Sequence, residues 1–389
     1  MNETTRQYIK ENLNADVPTL ALRKAPVGTD VLLALRQIEA RQLLQKKVPE
    51  WSANDNLLFP AHLAIEQCSS EATARYKAKL VKGHSLVDLT GGLGIDTYYL
   101  SQSFQETDYV EQQPELRCLA KHNFEVLRTS ITVREETAES YMQQCGHKDC
   151  IYIDPARRDV NGRKTVSISD CTPDVLALQD SMLRISDTVM IKLSPMLDIK
   201  KALAELRSVA EVHVLAVGNE CKELVFVLRR GFTGQPILFA ANLMTSQPVL
   251  SFTYEDESAC PLLLSDSVGH YLYEPNAALM KAGCYKLLTR RFELHKLHKN
   301  SHLYTSDTLI PDFAGRIFEV EGWDPYNKKV KQLLTGIDQA NLTVRNFPIT
   351  VEVLRKVLKI KEGGDVYLFA TTLQNEEKIL IKTRKSASL

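Results

Sequence analysis

The sequence carries a glycine-rich turn of defined spacing, Asp88-Leu89-Thr90-Gly91-Gly92-Leu93-Gly94-Ile95-Asp96. A short apolar run, residues 85–89, precedes the turn and is typical of a buried strand, and residues 95–103 have the periodicity of a helix. Without a Cβ, glycine lets the backbone approach a ligand closely, and the first turn of a helix offers unpaired N–H groups. Ligands of open α/β sheets bind at this kind of turn, so we expect a small-molecule site here.

The type of ligand follows from the spacing of the glycines and from Asp88. Dinucleotide sites use Gly-x-Gly-x-x-Gly, a spacing that this turn does not have. A carboxylate at residue 88 would repel a pyrophosphate but would attract a positively charged amino group, such as the one at the methionine end of S-adenosylmethionine. The turn therefore favours S-adenosylmethionine, and a tight turn without any ligand is the alternative.

Strands and helices alternate along the chain from the turn to about residue 228. This order predicts an α/β fold in which a mostly parallel sheet carries helices on both faces. The last two strands, residues 212–217 and 223–228, are too close for a right-handed crossover and are expected to form an antiparallel hairpin. We therefore predict a Rossmann-like sheet of seven strands with one reversed strand at its edge.

Two further stretches lie where the second and third strands are predicted to end. Glu111 follows the second strand, and an acidic residue at that place accepts hydrogen bonds from ribose hydroxyls. Thr137 and Ala138 follow the third strand, where we expect the adenine ring of the ligand.

Asp154-Pro155-Ala156-Arg157-Arg158 directly follows the strand at residues 150–153. A carboxylate fixed by a proline at a strand end can accept a hydrogen bond from an exocyclic amine, with the Pro155 carbonyl as a second acceptor. The two arginines could bind RNA phosphate or the substrate. The alternative is a solvated loop that carries a surface ion pair.

The composition is that of an ordinary globular protein with an uneven distribution of charge. The chain has 389 residues and a formal net charge of zero, and residues 281–389 contain 19 Lys and Arg against 12 Asp and Glu. This asymmetry suits a phosphate-backbone partner, although a normally solvated surface explains it equally well. The sequence shows no membrane-spanning run, no secretion signal and no Cys-x-x-Cys pair, so we expect a cytoplasmic protein with reduced thiols and no metal site.

The motifs of the chain resemble those of class I RNA methyltransferases. More narrowly, the chain resembles bacterial methyltransferases that carry a C-terminal THUMP-like domain. The resemblance extends from about residue 55 to the C-terminus. The motifs that carry it are Glu66–Ala74, Val87–Asp96, Asp154–Arg158, Gly218–Leu224, Tyr273–Ala278 and Arg345–Pro348.

The resemblance implies a fold, a cofactor and a partner. The implied parts are an N-terminal helical region at 1–80, a seven-stranded class I methyltransferase domain at 81–230, an α+β ferredoxin-like linker module at 231–323 and a THUMP-like domain at 324–389. The implied contacts with S-adenosylmethionine are Asp88, Thr90, Gly91, Gly92, Gly94, Asp96 and Glu111, with Ser69 and Ser70 near its methionine end. Asp154 and Pro155 fall in the catalytic motif. RNA is the implied partner, and its possible contacts are Arg157, Arg158, Arg290, Arg291, Lys328, Lys329 and Arg345.

Two departures from known motifs leave the methylated atom open. Amino-methylating enzymes usually place an aromatic residue after Asn/Asp-Pro-Pro, where this chain has Ala156 and Arg157. Carbon-5 uracil methyltransferases need a cysteine after the fifth strand, where this chain has Leu193-Ser194-Pro195, and the nearest alternatives are Cys171 and Cys221. We expect a tRNA or rRNA base as the acceptor. An NAD-dependent oxidoreductase and a non-catalytic RNA-binding adaptor remain as alternatives, and the oligomeric state stays open.

Overall fold

The computed structural model describes residues 1–60, 62–157, 168–327 and 330–386. The chain divides into two compact units. Unit 1 comprises Met1–Val212 and Glu223–Pro236, and unit 2 comprises His213–Lys222 and Ile237–Leu389. Within the described residues, no helix has the length and apolar character that crossing a bilayer requires.

The N-terminal part of unit 1 is helical, as the periodicity predicts. Its helices are α1 (Glu3–Glu11), α2 (Val17–Ala21), α3 (Val31–Lys47), α4 (Pro49–Ser52), α5 (His62–Gln67) and α6 (Glu71–Ala78). Polar side chains begin several of these helices by accepting a backbone N–H in the first turn, and α6 begins in this way at Ser70. The long helix α3 buries Ala34, Ile38 and Leu44.

The rest of unit 1 alternates between strands and helices around a sheet. The strands are β1 (Ser85–Asp88), β2 (Glu106–Val110), β3 (Ile131–Arg134), β4 (Lys148–Ile153), β5 (Ala156–Arg157), β6 (Cys171–Thr172), β7 (Ser186–Leu193), β8 (Val209–Val217) and β9 (Glu220–Arg229). The helices are α7 (Ile95–Ser101), α8 (Pro114–Val126), α9 (Ala138–Gln144), α10 (Val175–Ile185) and α11 (Ile199–Glu205), with a short 3-10 turn at Ile168–Asp170.

Strands β1, β2, β3, β4 and β7 pair in parallel, in the order β7-β4-β1-β2-β3. The strand β1 is buried along its whole length, as expected for a parallel strand that is covered on both faces. Because parallel strands end at one edge of the sheet, β1, β4 and β7 bring the residues that follow them close together.

The reversed strand is β9, and its predicted position at the sheet edge is wrong. β9 pairs antiparallel with β7 and lies between β7 and β8 in the sheet. Gly218 and Asn219 both have positive φ, which suits the tight turn that joins β8 to β9. Helix α11 connects β7 to β8, and these two strands are not neighbours in the sheet. After the turn at 218 and 219, β9 occupies the position between them. The α/β class is confirmed, and the seven strands predicted for this sheet are, in order, β3, β2, β1, β4, β7, β9 and β8.

Unit 2 is built mainly on a second sheet. The strands of unit 2 are β10 (Ile237–Leu243), β11 (Leu250–Phe252), β12 (Tyr271–Pro275), β13 (His295–Lys296), β14 (Tyr304–Ser306), β15 (Gly315–Pro325), β16 (Asn341–Val344), β17 (Val366–Thr372) and β18 (Lys378–Lys385). Its helices are α12 (Tyr254–Ala259), α13 (Ala277–Ala282), α14 (Lys286–Arg291), α15 (Val330–Leu333) and α16 (Val351–Leu358). The order of the second sheet is β13-β14-β12-β15-β18-β17-β16.

Two local features of unit 2 separate its elements. Gly283 adopts a φ of +79° and ends α13, so that α14 begins as a separate helix. Leu264 forms an isolated bridge with Lys296. Strand β15 includes residues 323 and 324, and the domain boundary that the resemblance implies there stays a prediction.

Candidate active site

Asp88 ends β1 and lies almost fully buried beneath the glycine turn. Its carboxylate accepts hydrogen bonds from the backbone N–H of Thr90 at 2.9 Å and from the hydroxyl of Thr97 at 2.5 Å. Burial raises the pKa of Asp88 to about 7 against the effect of these hydrogen bonds, and the nearby Asp96 and Asp154 add to the rise. A cationic ligand beside Asp88 would lower this pKa and stabilise the ionised carboxylate.

Two different features of the structure exclude a side chain at the glycines of the turn: packing against aromatic rings and a positive φ. A Cβ on Gly91 would lie 2.1 Å from the Tyr109 ring, and a Cβ on Gly94 would lie 2.8 Å from the Phe124 ring. Gly92 has a φ of +54° and faces no such ring. Packing against buried aromatic rings therefore favours glycine at 91 and 94, and a positive φ favours it at 92 and, with +83°, at 94.

Replacing Gly91 with alanine is expected to destabilise unit 1 by about 1–3 kcal/mol, the usual cost of inserting an atom into a well-packed core. Tyr109 cannot easily move away, because it is fully buried and its hydroxyl donates a hydrogen bond to the Gly92 carbonyl. Thermal unfolding would measure the loss. Gly146→Ala is the matched control, since its Cβ would have no neighbour within 4 Å. Equal stability of both variants would contradict the packing argument.

The residues predicted to bind the nucleoside part of the cofactor follow β2 and β3. The Glu111 carboxylate accepts the backbone N–H groups of Gly92 at 2.9 Å and of Gln113 at 2.8 Å, so it is fixed beside the turn. Thr137 begins α9 by accepting the backbone N–H of Ser140, and Ala138 is buried. These residues surround the same edge of the sheet as Asp88, and their contacts with a cofactor stay a prediction.

Asp154 follows β4 and is tied to the glycine turn through its backbone, because its N–H donates to the Thr90 hydroxyl at 2.6 Å. Its carboxylate forms an ion pair with Lys192 of β7. The side chain of Asp154 is 33% exposed and that of Lys192 is 11% exposed. Burial raises the pKa of Asp154, and Lys192 partly counteracts the rise. Pro155 is buried directly behind Asp154.

A buried polar network lies below this ion pair. Lys77 of α6 has no exposed side-chain surface, and its ammonium lies 2.8 Å from a carboxylate oxygen of Asp96 and 2.8 Å from one of Glu223. The hydroxyls of Ser69 and Tyr152 each donate to Asp96 at 2.7 Å. Ser69 also accepts a hydrogen bond from Lys77 at 2.7 Å. We call Ser69, Lys77, Asp96, Tyr152, Asp154, Lys192 and Glu223 the ionic cluster.

Two members of the ionic cluster, Asp96 and Lys192, have pKa values that are shifted towards the charged form. Burial alone would raise the pKa of Asp96, but Lys77 and Lys192 outweigh it and lower that pKa to about 2. Burial likewise opposes the charge on Lys192, but Asp154, Asp96 and Glu223 raise its pKa well above the ordinary value. Asp96 and Lys192 are therefore both charged at neutral pH.

Sequence reasoning missed Lys77, Tyr152, Lys192 and Glu223 as members of the site. Lys192 carried a usable signal, since a charged residue inside an apolar strand needs a partner. Lys77 carried none, because a lysine on a helix is ordinarily a surface residue. Three predicted cofactor contacts have other partners: Asp96 and Ser69 belong to the ionic cluster, and Ser70 begins α6.

The predicted phosphate contacts are described only in part. Arg158, Lys328 and Lys329 lie outside the described residues, as does the side chain of Arg157. Arg290 and Arg291 end α14 and are exposed. Arg345 pairs with the buried Glu274 of β12 at 2.9 Å, together with Arg316, so this arginine has a partner within unit 2. Its role as a phosphate contact stays a prediction.

The charges at the sheet edge define the ligand that fits. Four carboxyl groups (Asp88, Asp96, Asp154 and Glu223) face two ammonium groups (Lys77 and Lys192), which leaves two excess negative charges when every group is ionised. A pyrophosphate would be repelled here, whereas a ligand with a net positive charge, such as one that carries an ammonium and a sulfonium group against a single carboxylate, would be attracted. The donor set therefore fits S-adenosylmethionine.

Comparisons with known proteins agree with this geometry. A crystal structure from Porphyromonas gingivalis W83, described as a methyltransferase, is 34% identical to the chain with a TM-score of 0.88, and the match covers 98% of both chains. Two family models match the C-terminal part: a ferredoxin-like domain at residues 271–313 and a THUMP domain-like model at 315–385. No curated protein is significantly similar in sequence.

Two more distant structures match parts of the chain. A class I S-adenosylmethionine-dependent methyltransferase from Listeria monocytogenes is 11% identical over 63% of this chain and 94% of its own, with a TM-score of 0.38. TrmK from M. capricolum, solved with S-adenosyl-homocysteine, is 9% identical over 41% of this chain and 68% of its own, with a TM-score of 0.33. Similarities of this size carry no argument about the acceptor.

Proposed function

Because the chain belongs to the family of class I S-adenosylmethionine-dependent methyltransferases with C-terminal ferredoxin-like and THUMP-like domains, we propose that it methylates RNA, with tRNA or rRNA as the substrate. The protein is a methyltransferase with S-adenosylmethionine as its cofactor, which excludes the NAD-dependent alternative. The excess of negative charge beside the glycine turn is the observation that carries the proposal, since it favours a methyl donor with a net positive charge.

Each residue at the sheet edge has a distinct task in this proposal. When bound, S-adenosylmethionine supplies a methyl group on a positively charged sulfur. Asp88 would hold the ammonium group, Glu111 the ribose hydroxyls, and Thr137 and Ala138 the adenine ring. Asp154 would orient the acceptor, since its carboxylate is partly exposed while its backbone is anchored to Thr90. Holding the acceptor in line with the methyl group supplies most of the acceleration.

The RNA part of the proposal rests on unit 2 and on charge. The THUMP-like match covers residues 315–385, and residues 281–389 carry 19 Lys and Arg against 12 Asp and Glu. Arg290 and Arg291 are exposed at the end of α14, where they could contact phosphates. A surplus of cations predicts affinity that falls with salt concentration. The cytoplasmic location stays a prediction.

Isothermal titration with S-adenosylmethionine, S-adenosylhomocysteine and NAD tests the cofactor site. We expect the first two ligands to bind, NAD not to bind, and Asp88→Ala to lose binding because the ammonium loses its partner. Asp180→Ala is the matched control, since Asp180 is exposed and pairs with Arg207 at the surface. Binding of NAD alone would contradict the cofactor assignment.

The same site predicts the pH dependence of cofactor binding. Because the pKa of Asp88 is about 7 in the free protein, the carboxyl group is mostly protonated below pH 7 and cannot pair with an ammonium group. Affinity should rise with pH up to about 7, by about tenfold per pH unit on the acidic side, and then level off. Titrations in two buffers of different ionisation enthalpy should show release of a proton on binding. Affinity that falls as pH rises would contradict this role of Asp88.

A screen with S-[methyl-³H]adenosylmethionine and total RNA tests the acceptor class. Incorporation of label into RNA supports the proposal. RNA that is retained without incorporation would favour the adaptor alternative. Label in co-purifying protein or small molecules instead of RNA would overturn the RNA part and leave the methyltransferase assignment standing.

A further inference from the structure

The ionic cluster becomes more exposed from Lys77 towards Asp154. The exposed fraction of the side chain is 0% for Lys77, 4% for Glu223, 9% for Asp96, 11% for Lys192 and 33% for Asp154. Among the described members of the cluster, the Lys192–Asp154 pair is therefore the part that an acceptor can reach. Lys77, Asp96 and Glu223 support this pair from below, with Lys192 lying 4.0 Å from Asp96.

The chemistry of this pair discriminates between acceptor atoms. An exocyclic amine becomes positively charged as it attacks a methyl group, and the ammonium of Lys192 opposes that charge while neutralising Asp154. Methylation of a hydroxyl requires the opposite arrangement. A base must take the hydroxyl proton, and a cation must stabilise the negative charge that develops on oxygen. The Lys192–Asp154 pair supplies both of these groups side by side.

The thiol of Cys68 does not favour a carbon acceptor. Methylation at carbon 5 of uracil needs a cysteine thiolate, and Cys68 is the cysteine whose electrostatic neighbours include Lys192, Asp96 and Asp154. Burial raises the pKa of Cys68, and its thiol donates to the Ile65 carbonyl. A protonated, half-buried thiol is a poor nucleophile.

We propose that the acceptor is a hydroxyl group, and that Asp154 and Lys192 act on it as base and as oxygen-stabilising cation. The proposal rests on the RNA function above, and within an RNA chain the internal hydroxyl is the ribose 2′-OH. This differs from the base that the sequence led us to expect. The methyl group would therefore be placed on the sugar.

Asp154 and Lys192 act on the hydroxyl while the methyl group moves from sulfur to oxygen. Asp154 accepts the hydroxyl proton while the oxygen forms a bond to the methyl carbon. The bond between that carbon and the sulfonium sulfur breaks, and its electron pair stays on sulfur, which becomes neutral. Lys192 remains an ammonium throughout and stabilises the oxygen as it loses its proton. The proton then passes from Asp154 to solvent through its exposed edge.

Alkaline hydrolysis of the product decides between sugar and base methylation. The probe is total RNA from cells in which the gene for this chain is deleted, methylated by the full-length protein with S-[methyl-³H]adenosylmethionine. Alkali cleaves RNA through attack of the 2′-OH on the neighbouring phosphate, so a 2′-O-methyl group blocks cleavage at its own nucleotide. We expect the label in alkali-stable dinucleotides.

The other outcomes separate this inference from the function on which it rests. Label in mononucleotides would place the methyl group on a base and overturn the hydroxyl proposal, while RNA methylation would stand. An RNA fraction without label would overturn both. The assay needs no variant, so it decides the question even if substitutions in the cluster impair folding.

Lys192→Met tests the role of the cation. We expect kcat to fall by about 10²–10³-fold, as for removal of a group that stabilises a developing oxyanion, with little change in affinity for S-adenosylhomocysteine. Unchanged affinity shows that the variant is folded at the site. Lys201→Met is the matched control, because Lys201 is exposed on α11 and pairs with Glu205 at 3.9 Å. A Lys192→Met protein with normal kcat would overturn the role of Lys192.

Discussion

Replacing Asp154 with asparagine is expected to lower kcat for methyl transfer by about 10²–10⁴-fold, the usual range for loss of a positioned general base. The shape of the side chain is kept, and its amide oxygen can still accept a hydrogen bond from Lys192. The variant loses basicity and negative charge, so it cannot take a proton from the acceptor. Single-turnover rates with labelled cofactor and RNA would measure the change.

The affinity for S-adenosylhomocysteine separates this effect from a general defect in Asp154→Asn. The cofactor contacts that we assign lie on Asp88 and Glu111, so titration should give nearly the wild-type affinity. Asp180→Asn is the matched control on the surface of unit 1. A fully active Asp154→Asn protein would remove Asp154 from the mechanism, and combined loss of rate and affinity would assign it a structural role instead.

The glycine turn and the Asp154 motif were predictable from sequence because each is a local pattern. A short apolar strand followed by Asp88 and three glycines defines its own geometry over a few residues, and Asp154-Pro155 follows a strand in the same way. Parallel strands end at a common edge, so the two motifs had to meet. The structure bears this out through the hydrogen bond between Asp154 and Thr90.

The ionic cluster was not predictable, because its members come from distant parts of the chain. Ser69 and Glu223 are separated by 154 positions in the sequence, and the Ser69 hydroxyl lies 3.4 Å from a carboxylate oxygen of Glu223. Glu223 reaches the site only because β9 lies between β7 and β8. The spacing of the last two strands indicated a hairpin but not the side on which β9 would pair, so the sequence could not indicate the partner of Lys77.

The glycines illustrate a second limit of sequence reasoning. Gly91 and Gly94 were interpreted as space for a ligand, whereas the rings of Tyr109 and Phe124 occupy the positions where their Cβ atoms would lie. A pattern of glycines indicates that a Cβ is not tolerated, but it does not say which neighbour excludes it. Only the positions of the aromatic rings on β2 and α8 distinguish the two causes.

Replacing Lys77 with methionine is expected to destabilise unit 1 by about 3–5 kcal/mol, the usual cost of removing one partner from a buried ion pair. Lys77 is fully buried and lies 2.8 Å from both Asp96 and Glu223. Methionine fills a similar volume but leaves these two carboxylates without their nearest cation. Lys79→Met, at an exposed position that follows the same helix, should change the stability by less than about 0.5 kcal/mol.

The two tryptophans allow the loss to be located when Lys77→Met is unfolded in denaturant. Trp51 is buried in unit 1 and Trp323 lies on β15 of unit 2, so a Trp323→Phe background makes the fluorescence report on unit 1. If uncompensated charge causes the loss, adding Glu223→Gln to Lys77→Met should restore part of the stability, because it removes one of the two unpaired charges. Two losses that simply add would show instead that Lys77 acts through packing, and the role of the ionic cluster as an electrostatic support for Asp154 and Lys192 would fail with it.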